Sequence, residues 1–128
     1  MSTLFSKIVK REIPAYIVAE DDKHLAFLDV FPLRKGHVLV IPKREEDDFF
    51  DLSDQEISDL MVFAKKVSKS IKKSFDCKKV GMTVIGLEVN HAHIHLIPIN
   101  SIADMDFSQE KMKLTNEEFE TICEQLRS

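Results

Sequence analysis

The chain has 128 residues, of which 44% are hydrophobic and two are cysteines. That size suffices for one compact domain with its own core, without disulfide or metal support. A net charge of -4 and a pI near 5.7 argue against a nucleic-acid-binding surface, and no apolar run is long enough to span a membrane. Two widely separated cysteines, with no leader pattern, predict a cytoplasmic protein in a reducing compartment.

The first half of the chain predicts one short helix and three strands. Apolar side chains recur at helical spacing from Leu4 to Arg11. Alternating and β-branched residues predict a hairpin whose strands run from Tyr16 to Glu20 and from His24 to Asp29. A third strand is predicted from His37 to Pro42, where proline ends it.

The second half predicts two helices and two further strands. Ser53 and Glu56 form a capping box that begins a long amphipathic helix, and Thr115 begins a shorter helix in the same way. Strands are predicted over Lys79 to Ile85 and over Val89 to Pro98. The predicted fold is therefore α+β: an antiparallel sheet of about five strands, one long helix, and short helices near both termini.

The last predicted strand contains three histidines two residues apart, His91, His93 and His95. Alternate side chains of a strand share one face, so the three imidazoles should form a row. Such a row could ligate a metal or act on phosphorus. A metal site would need a carboxylate or a thiolate in register, and the nearest acid, Glu88, has the opposite parity. Covalent chemistry is the favoured interpretation, and a metal-binding protein using this row remains a less favoured alternative.

In the covalent interpretation the middle ring, His93, is the nucleophile, because it has an imidazole on each side. A neutral ring with one nitrogen donating a hydrogen bond leaves the other nitrogen free to attack phosphorus. The flanking rings, if protonated, could stabilise the developing charge. This chemistry requires no cofactor.

Four blocks of the sequence, in the same order, resemble the histidine triad (HIT) proteins, a family of nucleotide hydrolases and transferases with the motif His-φ-His-φ-His-φ-φ, where φ is apolar. The resemblance extends over residues 3–101, predicted as a HIT domain, and leaves 102–128 as a C-terminal extension whose helix packs on the same domain. The four blocks are Phe5–Ala15, Leu25–Pro32, Lys35–Lys43 and His91–Ile97.

The resemblance implies a role for each matching residue. His93 matches the nucleophile, which becomes nucleotidylated, His91 and His95 its partners, and His37 a fourth active-site histidine. Asp29 matches the acid that binds the ribose hydroxyls. Apolar residues match the positions that surround the purine base: Leu4, Phe5, Ile8, Phe27 and Val30.

The activity that the resemblance implies is hydrolysis or transfer at the α-phosphate of a purine nucleotide conjugate such as an AMP derivative. The enzyme would be a nucleotide phosphoramidase or a dinucleoside polyphosphate hydrolase, acting as a homodimer. The alternative is a nucleotide-binding or regulatory module with weak turnover.

Two departures from the family pattern qualify these expectations. Many members carry Gly-Gln-Ser/Thr-Val before the histidines, with side chains that contact phosphate, whereas this chain has Leu87 and Glu88 at the two middle positions. The expectation favoured here is that Glu88 faces away from the phosphate. Some members also ligate a structural zinc through cysteines at the positions that Thr3 and Ser6 occupy here.

Overall fold

The computed structural model describes residues 3 to 127. It contains three α-helices and five strands, with short 3-10 helices at Phe49–Asp51 and Ile102–Met105. In chain order the elements are α1 (Leu4–Val9), β1 (Ile17–Glu20), β2 (His24–Leu28), β3 (Val38–Pro42), α2 (Asp54–Ser74), β4 (Lys79–Thr83), β5 (Ile94–Ile99) and α3 (Asn116–Arg127). This arrangement confirms the predicted α+β fold. Within the described residues, no helix combines the length and the apolar character that crossing a bilayer would need.

The five strands form one antiparallel sheet in the order β1-β2-β3-β5-β4. Phe27 pairs with Leu39, and Leu39 pairs with His95, so these three residues form one row across the sheet. Because directly paired residues point to the same face, His95 shares a face with two apolar side chains of β2 and β3. That face is the one that carries the site described below.

The opposite face of the sheet is covered by α2. The buried stripe of this helix packs against the strands, and its first turn is held by the capping box of Ser53 and Glu56. The last helix, α3, adds Phe119 and Leu126 to the same core, and its Cys123 donates through Sγ to the carbonyl of Ile17. Whether the chain divides into two units at residue 101 stays a prediction.

The strands that flank the site are shorter than the sequence predicts. β4 ends at Thr83, and β5 begins only at Ile94, so His91 and His93 lie outside the ladder and only His95 lies within it. Extending the register of β3 and β5 would pair Ala92 with Pro42, which has no N–H to donate. The carbonyl of Pro42 is instead taken by the ring of His91. The prediction that the three histidines lie on one strand is therefore wrong, because only His95 belongs to β5.

Candidate active site

A cavity of about 730 Å³ opens on the face of the sheet that α2 leaves uncovered. Its floor includes Phe27, Leu39 and His95 from the sheet, and α1 closes one side. The connection over residues 85–89 and the segment 107–111 contribute the remaining sides. Cavities of this volume hold ligands of nucleotide size.

His93 lines this cavity, and one of its ring nitrogens makes a hydrogen bond within the protein. Its Nδ1 is 2.7 Å from the carbonyl oxygen of His91, an acceptor, so Nδ1 carries the proton. In the neutral ring, Nε2 therefore has the free lone pair that a nucleophile needs. The ring of Phe5 packs edge-on against that of His93, with centroids 5.1 Å apart, and fixes its orientation.

A short chain of hydrogen bonds determines which ring nitrogen carries the proton in His37 and in His95. The N–H of Leu33 donates to Nδ1 of His37 at 3.0 Å, so a neutral His37 carries its proton on Nε2. That Nε2 lies 3.0 Å from Nδ1 of His95 and donates to it. His95 must then hold its own proton on Nε2, which makes that nitrogen a hydrogen-bond donor.

These imidazoles are neutral at pH 7. The pKa of His37 is lowered to about 3 and the pKa of His95 to about 4, in both cases chiefly by burial and to a smaller extent by the neighbouring imidazoles. Burial also moves the pKa of His93 below its usual value, although the His91 carbonyl and the charge of Glu88 act in the opposite direction. In the free protein the flanking rings can therefore act as neutral N–H donors but not as the cations that the sequence interpretation considered.

Asp29 lies at the end of the cavity next to His37, with 3.5 Å between its Oδ2 and Nε2 of His37. The N–H of Phe31 donates to its Oδ1 at 2.9 Å. The pKa of Asp29 is raised to about 6, chiefly by burial and to a smaller extent by the charge of Glu88, against the opposing effects of the Phe31 N–H and Lys111. The carboxylate is thus ionised at pH 7 and close to protonation under mildly acidic conditions.

Two groupings could be considered for a metal, and neither presents three free donors. The donor atoms of Asp29, His37 and His95 all lie within 4.8 Å of one another, but His37 directs an N–H at the other two, and a protonated nitrogen cannot ligate. In the histidine row, both ring nitrogens of His91 are used elsewhere, by Thr3 and Pro42. The hydrogen bonding of the site therefore does not favour the metal alternative.

The comparisons with known proteins agree with this geometry. The HIT domain model matches residues 10–102. The chain belongs to the HIT domain family. Adenosine 5'-monophosphoramidase hnt1 of Schizosaccharomyces pombe is 40% identical over 99 residues, which cover 77% of this chain and 74% of that protein.

Two further relatives extend over almost the whole chain. An uncharacterized HIT-like protein of Borreliella burgdorferi is 34% identical over an alignment of 131 residues, which covers 96% of this chain and 94% of the relative. The crystal structure of a HIT-like protein involved in cell-cycle regulation from Bartonella henselae has a TM-score of 0.86 at 27% identity, and covers 98% of this chain and 94% of that chain. The similarity to this solved structure thus extends beyond residues 10–102, which the family model matches, to nearly the whole chain.

The HIT motif residues and the apolar positions predicted from the sequence lie together, with one exception. His91 is completely buried and does not line the cavity. It lies behind His93, where its backbone carbonyl accepts the proton of Nδ1. The other predicted site residues all line the cavity: His37, His93, His95, Asp29, Leu4, Phe5, Ile8, Phe27 and Val30.

Two cavity residues, Phe107 and Lys111, come from the extension beyond the HIT motif and were not predicted. The ring of Phe107 packs edge-on against His95, with centroids 4.9 Å apart, and also reaches His37. Lys111 donates through Nζ to the carbonyls of Phe107 and Gln109. Its positive charge lowers the pKa values of Asp29 and His37. No motif marks this segment, and only its lone phenylalanine among polar residues could have suggested a packed position.

The expectation that Glu88 faces away from the site is wrong. Glu88 lines the cavity together with Leu87. Its negative charge reaches both Asp29 and His93, and raises the pKa of each. Because β4 ends before it and β5 begins after it, Glu88 lies in a connection where strand parity does not apply.

Proposed function

We propose that this HIT protein hydrolyses a purine nucleoside 5'-phosphoramidate through a nucleotidyl intermediate on His93. The supporting observation is the free lone pair on Nε2 of His93, which a carbonyl-bound Nδ1–H leaves at a mostly apolar cavity of nucleotide size. The similarity to an adenosine 5'-monophosphoramidase supports the same choice of substrate.

In the first step, Nε2 of His93 attacks the α-phosphorus, the N–P bond forms and the bond to the leaving nitrogen breaks. A substrate that enters with this nitrogen protonated loses it as a neutral amine, so no side chain has to supply a proton. The ring of His93 becomes an imidazolium whose Nδ1–H stays bonded to the His91 carbonyl. The Nε2–H of His95 is available to donate to a phosphoryl oxygen.

In the second step, water attacks the same phosphorus, the new P–O bond forms and the N–P bond breaks. His93 leaves as a neutral ring and the site is restored. Of the two protons of the water, one passes to solvent, and the other stays on the product nucleotide or also passes to solvent. In this scheme the protein's own donor to the phosphoryl group, the Nε2–H of His95, acts where other phosphoryl-transfer enzymes use a metal.

The proposed pose places the base against the apolar side of the cavity formed by α1 and by Phe27, with the ribose hydroxyls donating to Asp29. An ionised carboxylate suits that role, since it only accepts hydrogen bonds. We also propose that the protein works as a homodimer in the cytoplasm. The exposed side chains of Met82, Val84 and Ile85 at the edge of the sheet, and the two buried free cysteines, are compatible with this.

The charges around the cavity favour a phosphoramidate over a dinucleoside polyphosphate. Asp29 and Glu88 contribute two carboxylates, against one cation from Lys111. Each additional phosphate of a polyphosphate would meet this negative potential, whereas a phosphoramidate brings a single phosphoryl group.

The same carboxylates support a second candidate function, a nucleotide-binding module with weak turnover. A substrate series separates the two: adenosine 5'-phosphoramidate, AMP amino-acid amides, diadenosine polyphosphates and adenosine 5'-phosphosulfate, compared by kcat/KM. We expect the amides to rank first, and mass spectrometry after an alkaline quench, which preserves the acid-labile N–P bond, to find AMP on His93. Tight AMP binding with no turnover of any compound would instead support the binding module.

A further inference from the structure

A polar cluster lies directly behind the nucleophile, outside the cavity. Its Ser6 and His91 side chains are buried, Thr3 is half-buried and Glu45 is exposed. The cluster consists of Thr3, Ser6, Glu45 and His91, which come from the start of α1, from the loop after β3 and from the segment before β5. No step of the proposed reaction uses the first three of these residues. The His91 ring is fully buried and is bound at both nitrogens, as buried polar groups normally are, so its position is fixed.

The direction of each hydrogen bond in the cluster can be assigned. Nε2 of His91 lies 2.9 Å from the Pro42 carbonyl, so it carries the proton and Nδ1 must accept. The hydroxyl of Ser6 donates to the carboxylate of Glu45, which can only accept. The Thr3 hydroxyl, 3.0 Å from Nδ1 of His91, is then the donor to that nitrogen, so its single proton is not shared with the Ser6 hydroxyl, which lies 3.1 Å away.

The backbone at His91 gives this arrangement its importance. His91 lies before β5 and makes none of the ladder hydrogen bonds that hold His95. Its carbonyl nevertheless has to point at Nδ1 of His93, because that contact decides which nitrogen of the nucleophile is free. A ring anchored at both nitrogens can hold this residue in place where the sheet does not.

The cluster also joins the two sides of the site. Thr3 is the N-cap of α1 and accepts from the N–H of Ser6 at 2.9 Å. The Thr3 N–H donates in turn to Glu45 at 3.1 Å. Since α1 carries Phe5, which packs on His93, the same few hydrogen bonds align the apolar wall and the nucleophile.

We propose that Thr3, Ser6 and Glu45 are positioning residues that act through His91 to hold His93 in its reactive tautomer and orientation. This proposal rests on the proposed function of His93. The proposal also gives a role to the hydroxyls of Thr3 and Ser6, which occupy positions where some HIT proteins carry metal-ligating cysteines. In this chain, hydrogen bonds rather than a metal connect α1 to His91.

The main test is Thr3→Val, which keeps the shape of the side chain but removes the hydroxyl. We expect kcat with adenosine 5'-phosphoramidate to fall about tenfold to a hundredfold, since small misplacements of reacting groups have effects of this size. The KM should change less than threefold. Ser6→Ala keeps the Thr3 donor and should lower kcat less, and Thr3→Ser should restore most of the activity.

Ser53→Ala is the matched control, because it removes the N-cap of α2, the helix that covers the other face of the sheet. It should leave kcat unchanged, which separates loss of a helix cap from loss of the His91 contact. The tautomer is read independently of activity from the ¹⁵N chemical shifts of His93, which should show protonated Nδ1 in the native protein and a mixture of tautomers in Thr3→Val.

The outcomes separate this proposal from the function on which it rests. A Thr3→Val variant with native kcat and an unchanged His93 tautomer overturns the positioning proposal, even if His93 is the nucleophile. A native protein that turns over no phosphoramidate overturns the proposed function, whereas the ¹⁵N measurement still tests the hydrogen-bond network. If Thr3→Val does not fold, Ser6→Ala carries both measurements.

Discussion

The cavity has two parts that are held in different ways. The histidine wall, formed by His37, His93 and His95, is buried, and hydrogen bonds to neighbouring groups set the proton on each ring. The rim, formed by Leu87, Glu88, Phe107 and Lys111, lies in segments between or beyond the strands. Leu87 is 86% exposed. In the function proposed above, the wall determines which reaction is possible and the rim adjusts which molecules undergo it.

The strongest test of the wall is His93→Ala. Removing a nucleophile normally costs several orders of magnitude in rate, so we expect kcat with adenosine 5'-phosphoramidate to fall at least a thousandfold. The affinity for AMP, measured by calorimetry, should stay within about fivefold, because the base and ribose contacts remain. Activity within tenfold of the native protein would rule out His93 as the nucleophile.

Asp29→Ala tests the carboxylate that lies beside the histidine wall, next to His37. An ionised carboxylate that accepts ribose hydroxyls contributes about 1.5 to 3 kcal/mol, which corresponds to a tenfold to hundredfold loss of affinity. The loss should be larger for adenosine than for 2'-deoxyadenosine. If the affinities for both nucleosides fall equally, Asp29 has a structural role and does not bind the sugar.

The raised pKa of Asp29 predicts a pH dependence of nucleoside binding. Its pKa of about 6 in the free protein means that protons compete with the ribose below that pH, and affinity should fall about tenfold between pH 7 and pH 5. Adenosine is the appropriate probe, since the phosphate of AMP itself titrates near 6. Asp29→Asn should bind adenosine with a flat profile over this range, and a sloping one would assign the titration to another group.

Phe107→Ala tests the contribution of the rim to selectivity. Removing the ring opens the cavity beside His95, so kcat/KM for bulky aryl amides of AMP should rise about fivefold relative to the unsubstituted phosphoramidate. Phe50→Ala, which removes an exposed phenylalanine that does not line the cavity, should leave this ratio unchanged. A constant ratio in Phe107→Ala would show that the leaving group does not reach this ring.

Glu88→Ser is expected to have the smallest effect. Glu88 is exposed to solvent, but its charge acts on His93, where the phosphate would bind. Its removal should therefore increase the affinity for AMP about threefold to fivefold at low salt, and less at high salt. Glu120→Ser removes an exposed carboxylate on α3 as a control. If Glu88→Ser leaves the affinity unchanged at both salt concentrations, the carboxylate does not act on the ligand.

The features of the fold and of the site that the sequence predicts are those that depend on local patterns. The three histidines and the capping boxes of α2 and α3 depend on residues a few positions apart, and the fold follows from the order of such segments. Asp29 and His37 required the family blocks, because nothing in their immediate neighbourhood distinguishes them from turn residues.

The remaining features depend on contacts between distant segments. The protons on His37 and His91 are determined by Leu33 and Pro42, through backbone groups that no side-chain pattern describes. The late start of β5 follows from its register against Pro42. Phe107 and Lys111 approach the histidines only because the chain returns across the sheet after β5, which an absence of motifs could not predict.

The position of Phe107 and Lys111 beyond residue 102 has an evolutionary consequence. The family model matches residues 10–102, whereas Phe107 and Lys111 come from the segment that follows it. HIT proteins could thus acquire different substrates through changes in this segment while their motif histidines stay the same. Grafting residues 103–112 between relatives would be a short route to altered selectivity.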